Sequence, residues 1–232
     1  MAIDEALLAV IPGPVLRVYR WARPAVSFGY FQPWEPVRAA HATRDPVRRW
    51  TGGGTVLHGE DFTYSLLIPR EIETPPPAES YRLIHHSLCR ALADARLPAQ
   101  PAPASSANNS GSCFENPVHH DILVDNRKVA GAAQRRARAG LLHQGSIQTL
   151  DLPPNFAPSF ASHLAPEVHA QSFNLTLAAE KLAAEKYGAP SWLERCPAAH
   201  PRSSRPPTPP PSSHPDSSAA GAARAPSKTS NQ

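Results

Sequence analysis

Arg48-Arg49-Trp50-Thr51-Gly52-Gly53-Gly54-Thr55-Val56-Leu57-His58 runs directly into the strand-like Asp61-Phe62-Thr63-Tyr64-Ser65-Leu66-Leu67-Ile68. Three consecutive glycines lack Cβ atoms, so the backbone can take positive φ and a ligand can lie against its amides. The two arginines ahead of them carry fixed charge on forked donors, suited to a carboxylate, a phosphate or a phosphopantetheine-type group at the loop mouth. A plain hairpin or bulge is the competing reading, because glycine between strands often marks only a bend.

Working outward, the residues before this stretch give a short helix over Met1 to Val10, with Ile3, Leu7 and Leu8 on one face and Asp4 and Glu5 in its first turn. Strands follow at Val15 to Trp21 and Ala25 to Tyr30, then a brief helix at Pro36 to His41, and Pro46 opens the strand carrying the arginines. Beyond Phe62 to Ile68, the prolines 75 to 77 break the sheet. Tyr81, Ile84, Leu88, Leu92 and Ala95 recur at helical spacing and predict a helix over Ser80 to Leu97. His85 and Cys89 share a face of it, but two ligands without a third more often mark a helix surface beside a core thiol.

Residues 98 to 112 are small and polar and predict a long loop, which ends at Ser112-Cys113-Phe114-Glu115-Asn116-Pro117. Asp121 to Val124 and Lys128 to Ala132 alternate around Asp125-Asn126, a pair suited to a tight hairpin turn. Leu141 to Leu150 is a further strand with His143, Gln144 and Gly145 at its head, and Thr176 is an N-cap candidate for a helix ending at Gly188.

The chain has 232 residues, 41% of them apolar, and a formal charge of +4. Residues 197 to 232 carry +3 of that charge, so residues 1 to 196 are nearly neutral and present no basic, aromatic platform for nucleic acid. Nine of the 28 prolines also fall in that terminal stretch, which lacks aromatic residues; residues 196 to 232 are expected to form a disordered Pro/Ser/Ala-rich tail behind a folded domain of residues 1 to 195. Three cysteines match no zinc spacing and argue against a disulfide framework. No apolar run approaches the roughly 18 residues a membrane span needs, and no signal-peptide pattern opens the chain, so a cytoplasmic protein is expected.

Several segments now form one pattern: Met1 to Leu8, Leu16 to Trp21, Ser27-Phe28-Gly29-Tyr30-Phe31-Gln32, the glycine stretch, Lys128-Val129-Ala130-Gly131-Ala132-Ala133-Gln134 and Leu142-His143-Gln144-Gly145-Ser146. Their order resembles the lipoate and biotin protein ligase superfamily over residues 1 to about 195, and most closely the cysteine-dependent octanoyltransferases related to lipoate ligases. The resemblance implies an α/β (α+β) fold, a mixed, largely antiparallel sheet flanked by helices. It implies transfer of an octanoyl group from acyl carrier protein to a lysine of a lipoyl domain or glycine cleavage H-like protein. Cys113 would be the nucleophile and Lys128 its partner, no cofactor would be required, and the protein would act as a monomer. An ATP- and Mg²⁺-dependent lipoate ligase, a lipoyl amidotransferase and an inactive acyl-binding relative are the alternatives. Gly54 is more ligase-like, since the transferases often carry arginine there. The opening helix is one that usually follows a first strand in this family, and the small C-terminal accessory domain of many lipoate ligases has no counterpart in the tail.

The chemistry fits the residue types. A thiol with pKa near 8.5 is only slightly ionised at neutral pH, and a nearby ammonium raises its thiolate fraction. Lys128 can also hydrogen-bond an acyl carbonyl or exchange a proton with an entering amine. Gly52, Gly53, Gly54, Thr55 and Val56, with Gly131 and Ala132, are candidate walls of an acyl groove, and Arg48, Arg49 and Gly145 complete the candidate binding set. His58 and His143 are expected at strand ends beside it, where substrate binding and structural hydrogen bonding remain equally open. Cys113 could be a buried apolar thiol, but its polar flanks and the following Pro117 suit an accessible one.

Overall fold

A computed structural model describes residues 1 to 103 and 118 to 195. Their elements are α1 (Ala2–Leu8), β1 (Val15–Tyr19), β2 (Ala25–Phe28), α2 (Trp34–Ala40), β3 (Asp45–Arg48), β4 (Val56–His58), β5 (Phe62–Pro69), α3 (Pro77–Asp94) and β6 (Ala99–Pro101). There follow β7 (Ile122–Val124), β8 (Arg127–Ala137), β9 (Gly140–Ile147), α4 (Phe156–Leu164), α5 (Thr176–Leu182), which runs into a π-helical turn at Ala183–Tyr187, and α6 (Pro190–Leu193). The expected nucleophile Cys113, the second half of the expected loop and the tail from Cys196 lie outside the described residues.

The expected mixed, largely antiparallel sheet is present as two sheets. Six antiparallel strands run in the order β1-β5-β9-β8-β7-β6, and a smaller sheet runs β3-β2-β4 with β2 and β3 parallel. Strands β1 and β2 therefore belong to different sheets. The glycine stretch is not a hairpin: β3 and β4 lie on opposite sides of β2, so the loop joining them crosses that strand's end.

Alternation along β5 assigns the two faces of the large sheet. Tyr64 and Leu66 pack with Ile84, Leu88 and Leu92 of α3 and with Phe156 and Phe160 of α4. Leu67 points the other way, with Leu142, against Leu7, Leu8 and Ile11. The α1 expectation needs correction here, for Ile3 is 41% exposed and Asp4 is fully buried. Arg17 Nη1 at 2.8 Å, Ser65 Oγ at 3.0 Å and Gln144 Nε2 at 2.8 Å all donate to the Asp4 carboxylate. A buried carboxylate so satisfied outcompetes an apolar side chain for the inward face.

Asp125 and Asn126 take φ of 49° and 60°, the paired left-handed geometry of a tight hairpin. Strand β8 continues to Ala137, beyond the expected end at Ala132, because its Ala- and Arg-rich second half has little intrinsic strand preference and is held by pairing with β9. A short edge strand, β6, occupies the start of the expected loop and pairs with β7. Thr176 is the first residue of α5 and makes no side-chain cap; Leu175 occupies the cap position.

Candidate active site

The two sheets leave a cleft between them with about 460 Å³ of empty space, counted out to its open mouth. Tyr19 and Trp21 wall it from the β1 edge, Val56 and His58 from β4, and Gly131, Ala132 and Ala133 from β8. Its surface is mostly apolar. The expected groove residues therefore divide: Gly53, Val56, His58, Gly131, Ala132 and Gly145 line the cleft, as does Arg49.

Gly53 is the one member of the glycine run with a positive φ, +86°. Its carbonyl packs against Gly29 so closely that a Cβ there would lie 2.0 Å from the oxygen. Gly52 has open space where a Cβ would be, and the carbonyls of Gly52 and Gly54 accept from Arg49 Nη2 at 3.0 and 2.5 Å. Thr55 shares hydrogen bonds with Gln32 and holds the loop to the turn after β2. The loop is thus held to its own scaffold by Arg49, Gln32 and Gly29, and presents Gly53 to the cleft.

The two arginines have different roles. Arg48 is fully buried, and its guanidinium donates to the carbonyls of Leu193 (2.7 Å), Gln32 (2.8 Å), Tyr30 (2.9 Å) and Arg195 (3.1 Å). It clamps the segment around α6 onto the β2 turn, which corrects the expectation that it serves the loop mouth. Arg49 does reach the cleft, where Nη1 donates to Ser27 Oγ at 2.7 Å.

Ser27 Oγ lies 2.6 Å from His58 Nε2, and His58 Nδ1 lies 2.8 Å from Asp61 Oδ2. Asp61 also accepts from Thr63 Oγ1 (2.8 Å), Ser146 Oγ (2.7 Å) and the Gly59 amide (2.9 Å). Burial would raise the Asp61 carboxyl, but the hydrogen bonds from His58, Ser146 and Gly59 hold it below the usual carboxylate range. Desolvation depresses His58 despite Asp61, so the ring is neutral at neutral pH. Trp21 stacks on it with centroids 4.1 Å apart and donates from Nε1 to Thr63.

Outside the lining residues but against Gly131, Lys128 Nζ lies 2.6 Å from Asp121 Oδ2, with both side chains almost sealed from water. The other Asp121 oxygen accepts from Tyr81 Oη at 2.5 Å, and the Val118 amide donates to Oδ2 at 2.7 Å. Tyr81 in turn accepts from the Ala132 amide at 3.1 Å, at the part of β8 that β7 does not reach. A Cβ on Gly131 would lie 2.9 Å from Lys128 Nζ, so the ammonium sits directly over this cleft-lining residue. Lys128 is therefore a buried, paired group and not a solvated hairpin lysine.

His143 departs from its expected place. It lies within β9, fully buried, between Gln134 (Nε2 to Nδ1, 3.0 Å) and Tyr64 (3.4 Å), on the face toward α3 and outside the cleft lining. Burial, with His85 second, holds it well below the ordinary imidazole range. Gly145 lets the Tyr64 ring lie against the strand, where a Cβ would come 2.3 Å from it. His85 and Cys89 are both buried, and burial pushes the Cys89 thiol up to about 11. Among the described residues no group of three His, Cys, Asp or Glu side chains is placed to hold a metal ion.

Sequence reasoning passed over Asp61, Asp121 and Tyr81, and it quoted Ser27 without giving it a role. A carboxylate three residues after His58 was the available signal for Asp61. Nothing local marks Ser27 or Tyr81, which arrive from β2 and α3.

Comparison with known proteins extends this geometry. A curated octanoyltransferase LipM from Kyrpidia tusciae is 36% identical over 174 residues, covering 66% of this chain and 62% of that protein. The Staphylococcus aureus octanoyltransferase LipM is 33% identical over 175 residues, 67% of this chain and 63% of that protein. The chain thus spans about three fifths of the length of these curated relatives. Among solved structures, Ta0514 from T. acidophilum with bound lipoic acid superposes with a TM-score of 0.67 at 20% identity, over 83% of this chain and 91% of that one. A lipoate-protein ligase A bound with ATP gives 0.64 at 20%, over 84% and 92%; at such identities the likeness concerns the fold. A family model matches residues 1–152, and the chain belongs to the lipoyl protein ligase A/B catalytic domain family.

Proposed function

We propose that the chain is an octanoyltransferase, taking an octanoyl group from acyl carrier protein onto Cys113 as a thioester and delivering it to a lysine of a lipoyl domain or glycine cleavage H-like protein. The observation that carries this reading is the Lys128 ammonium, buried and ion-paired over Gly131 on the wall of an apolar cleft. The activity named for the curated relatives supports it as well. The catalytic unit is assigned to residues 1 to 195, with no cofactor.

An eight-carbon chain gains about 0.8 kcal/mol per CH₂ removed from water, so an apolar cleft can hold it firmly. Lys128 supplies positive charge in a water-poor place, where it stabilises a thiolate and the oxygen of an attacked thioester. One thioester exchanges for another and the final amide is lower in free energy, so the acyl donor brings the activation that ATP would otherwise supply. Gly54 alone favours the runner-up, an ATP- and Mg²⁺-dependent lipoate ligase.

The test is to incubate the protein with octanoyl-acyl carrier protein and a lipoyl domain bearing a free lysine, with ATP withheld. Octanoylation of that lysine is expected. Modification only with lipoate, ATP and Mg²⁺, and undiminished in Cys113→Ala, would select the ligase.

A further inference from the structure

The acyl chemistry assigned to Cys113 and Lys128 leaves a second set of polar groups in the same cleft without a role. Asp61 accepts the proton on His58 Nδ1, and this pattern assigns the tautomer, leaving a lone pair on Nε2. The Ser27 hydroxyl must then donate to Nε2, while its oxygen accepts from Arg49. Ser27 is 1% exposed, His58 5% and Asp61 7%, and Ser27 and His58 both border the cleft. The stacked Trp21 fixes the plane of the ring. A hydroxyl backed by a neutral imidazole and a carboxylate, facing a mostly apolar cleft, is an arrangement for moving a proton.

Amide formation needs such a path. A lysine amine, once uncharged, must lose a further proton as its nitrogen bonds to the acyl carbon. Lys128 is poorly suited to receive it, since an ammonium paired with Asp121 has donors and no lone pair.

We propose that Ser27, His58 and Asp61 form a relay that removes this proton from the acceptor amine, leaving Lys128 to stabilise the acyl oxygen and the sulfur. The inference rests on the acyl-thioester reading of the cleft. In the step, the N–C bond forms and the C–S bond breaks. An amine proton passes to Ser27 Oγ as the hydroxyl proton moves to His58 Nε2, and the imidazolium beside Asp61 then gives its proton to the departing thiolate. The products are an amide and a thiol, with atoms and charge balanced.

The charged groups around the ring are Asp61, which favours imidazolium, and two arginines that oppose it: Arg49, and Arg44, which donates to the His58 carbonyl at 2.8 Å. Ser27, Trp21, Thr63 and Ser146 face the same network without charge. The ring therefore starts neutral, as a proton acceptor must.

The experiment separates the half-reactions in wild type, Ser27→Ala and His58→Gln. Each protein is loaded with octanoyl-acyl carrier protein, and the bound acyl group is then discharged with a lipoyl-domain lysine or with hydroxylamine, a nucleophile uncharged at neutral pH that attacks thioesters without help from a base. Transfer to lysine, counted per acyl group loaded, is expected to fall about 10²-fold in both variants, the usual scale of general-base catalysis. Their discharge by hydroxylamine should stay within about threefold of wild type, being independent of that base. Unchanged transfer to lysine in both variants would overturn the relay, as would hydroxylamine discharge falling in parallel with it, which is the signature of a merely structural role. Failure of the wild type to load would remove the acyl-thioester reading itself, and the relay with it.

Discussion

Lys128 and Asp121 form an ion pair of 2.6 Å in which neither side chain is more than 2% exposed, joined across the irregular start of the β7–β8 pairing. Taking two charges out of water costs several kcal/mol, which their attraction and the hydrogen bonds from Tyr81 and Val118 offset. Removing Asp121 takes this counter-charge from an ammonium that stays out of water. Asp121→Asn is therefore expected to lower stability by about 3–5 kcal/mol. Adding Lys128→Met should restore part of that loss, and urea denaturation of the single and double variants checks this. Equal stability for Asp121→Asn and wild type would show that the pair carries no such charge balance.

Gly131→Ala tests position without altering charge. The new Cβ would lie 2.8 Å from Lys128 Cε, 2.9 Å from Nζ and 3.2 Å from Asp121 Oδ1, so it presses on the ion pair. Stability should fall by less than the loss of the pair costs, while octanoyl transfer falls by about 10²-fold for a shift of about 1 Å in the ammonium. The readout is single-turnover transfer alongside the melting temperature.

Gly29→Ala should do the reverse and act on the fold. Its Cβ would meet the Gly53 carbonyl at 2.0 Å, a backbone atom fixed by the loop that crosses the end of β2. Overpacking of this kind costs about 1–3 kcal/mol or more. Gly52→Ala, into open space, should stay within about 0.5 kcal/mol of wild type. Comparable losses in the two variants would contradict the assignment of the close approach to Gly29 and Gly53.

The glycine run shows what sequence can and cannot convey. Its unusual composition marked the right wall of the cleft, but which glycine is required depends on Gly29, brought in by a different strand. Lys128 was singled out through the family resemblance, since a lysine just past a hairpin turn is by itself more often solvated. Its counter-charge Asp121 was not, because the pairing depends on an irregularity in strand register. Arg48 read as a ligand-binding group because its partners at Leu193 and Arg195 lie about 145 residues away. Asp4 was placed correctly on a helix but on the wrong face, since its partners come from β1, β5 and β9. Local periodicity carries the elements, and long-range polar satisfaction decides which side chains turn inward.

Buried histidines set the acid limit of stability. His58, His85 and His143 all have folded pKa values below the ordinary 6.5, His85 at about 4 through burial. Below pH 6.5 the unfolded chain takes up protons that the native protein refuses, so stability falls as pH drops toward 4 and is fully present above 6.5. His85 alone accounts for a loss on the order of 3 kcal/mol across that window. Denaturant midpoints between pH 7.5 and 4.5 should fall steadily, and less steeply in His85→Gln. A midpoint independent of pH across this range would contradict the neutral, buried state of these rings.

The acyl relay is tested most directly by intact mass spectrometry of the protein mixed with octanoyl-acyl carrier protein and nothing else. One octanoyl group is expected on wild type, released by hydroxylamine and mapped to Cys113, and none on Cys113→Ala. An unmodified protein that nonetheless acylates a lipoyl-domain lysine once ATP and a free acid are supplied would contradict it.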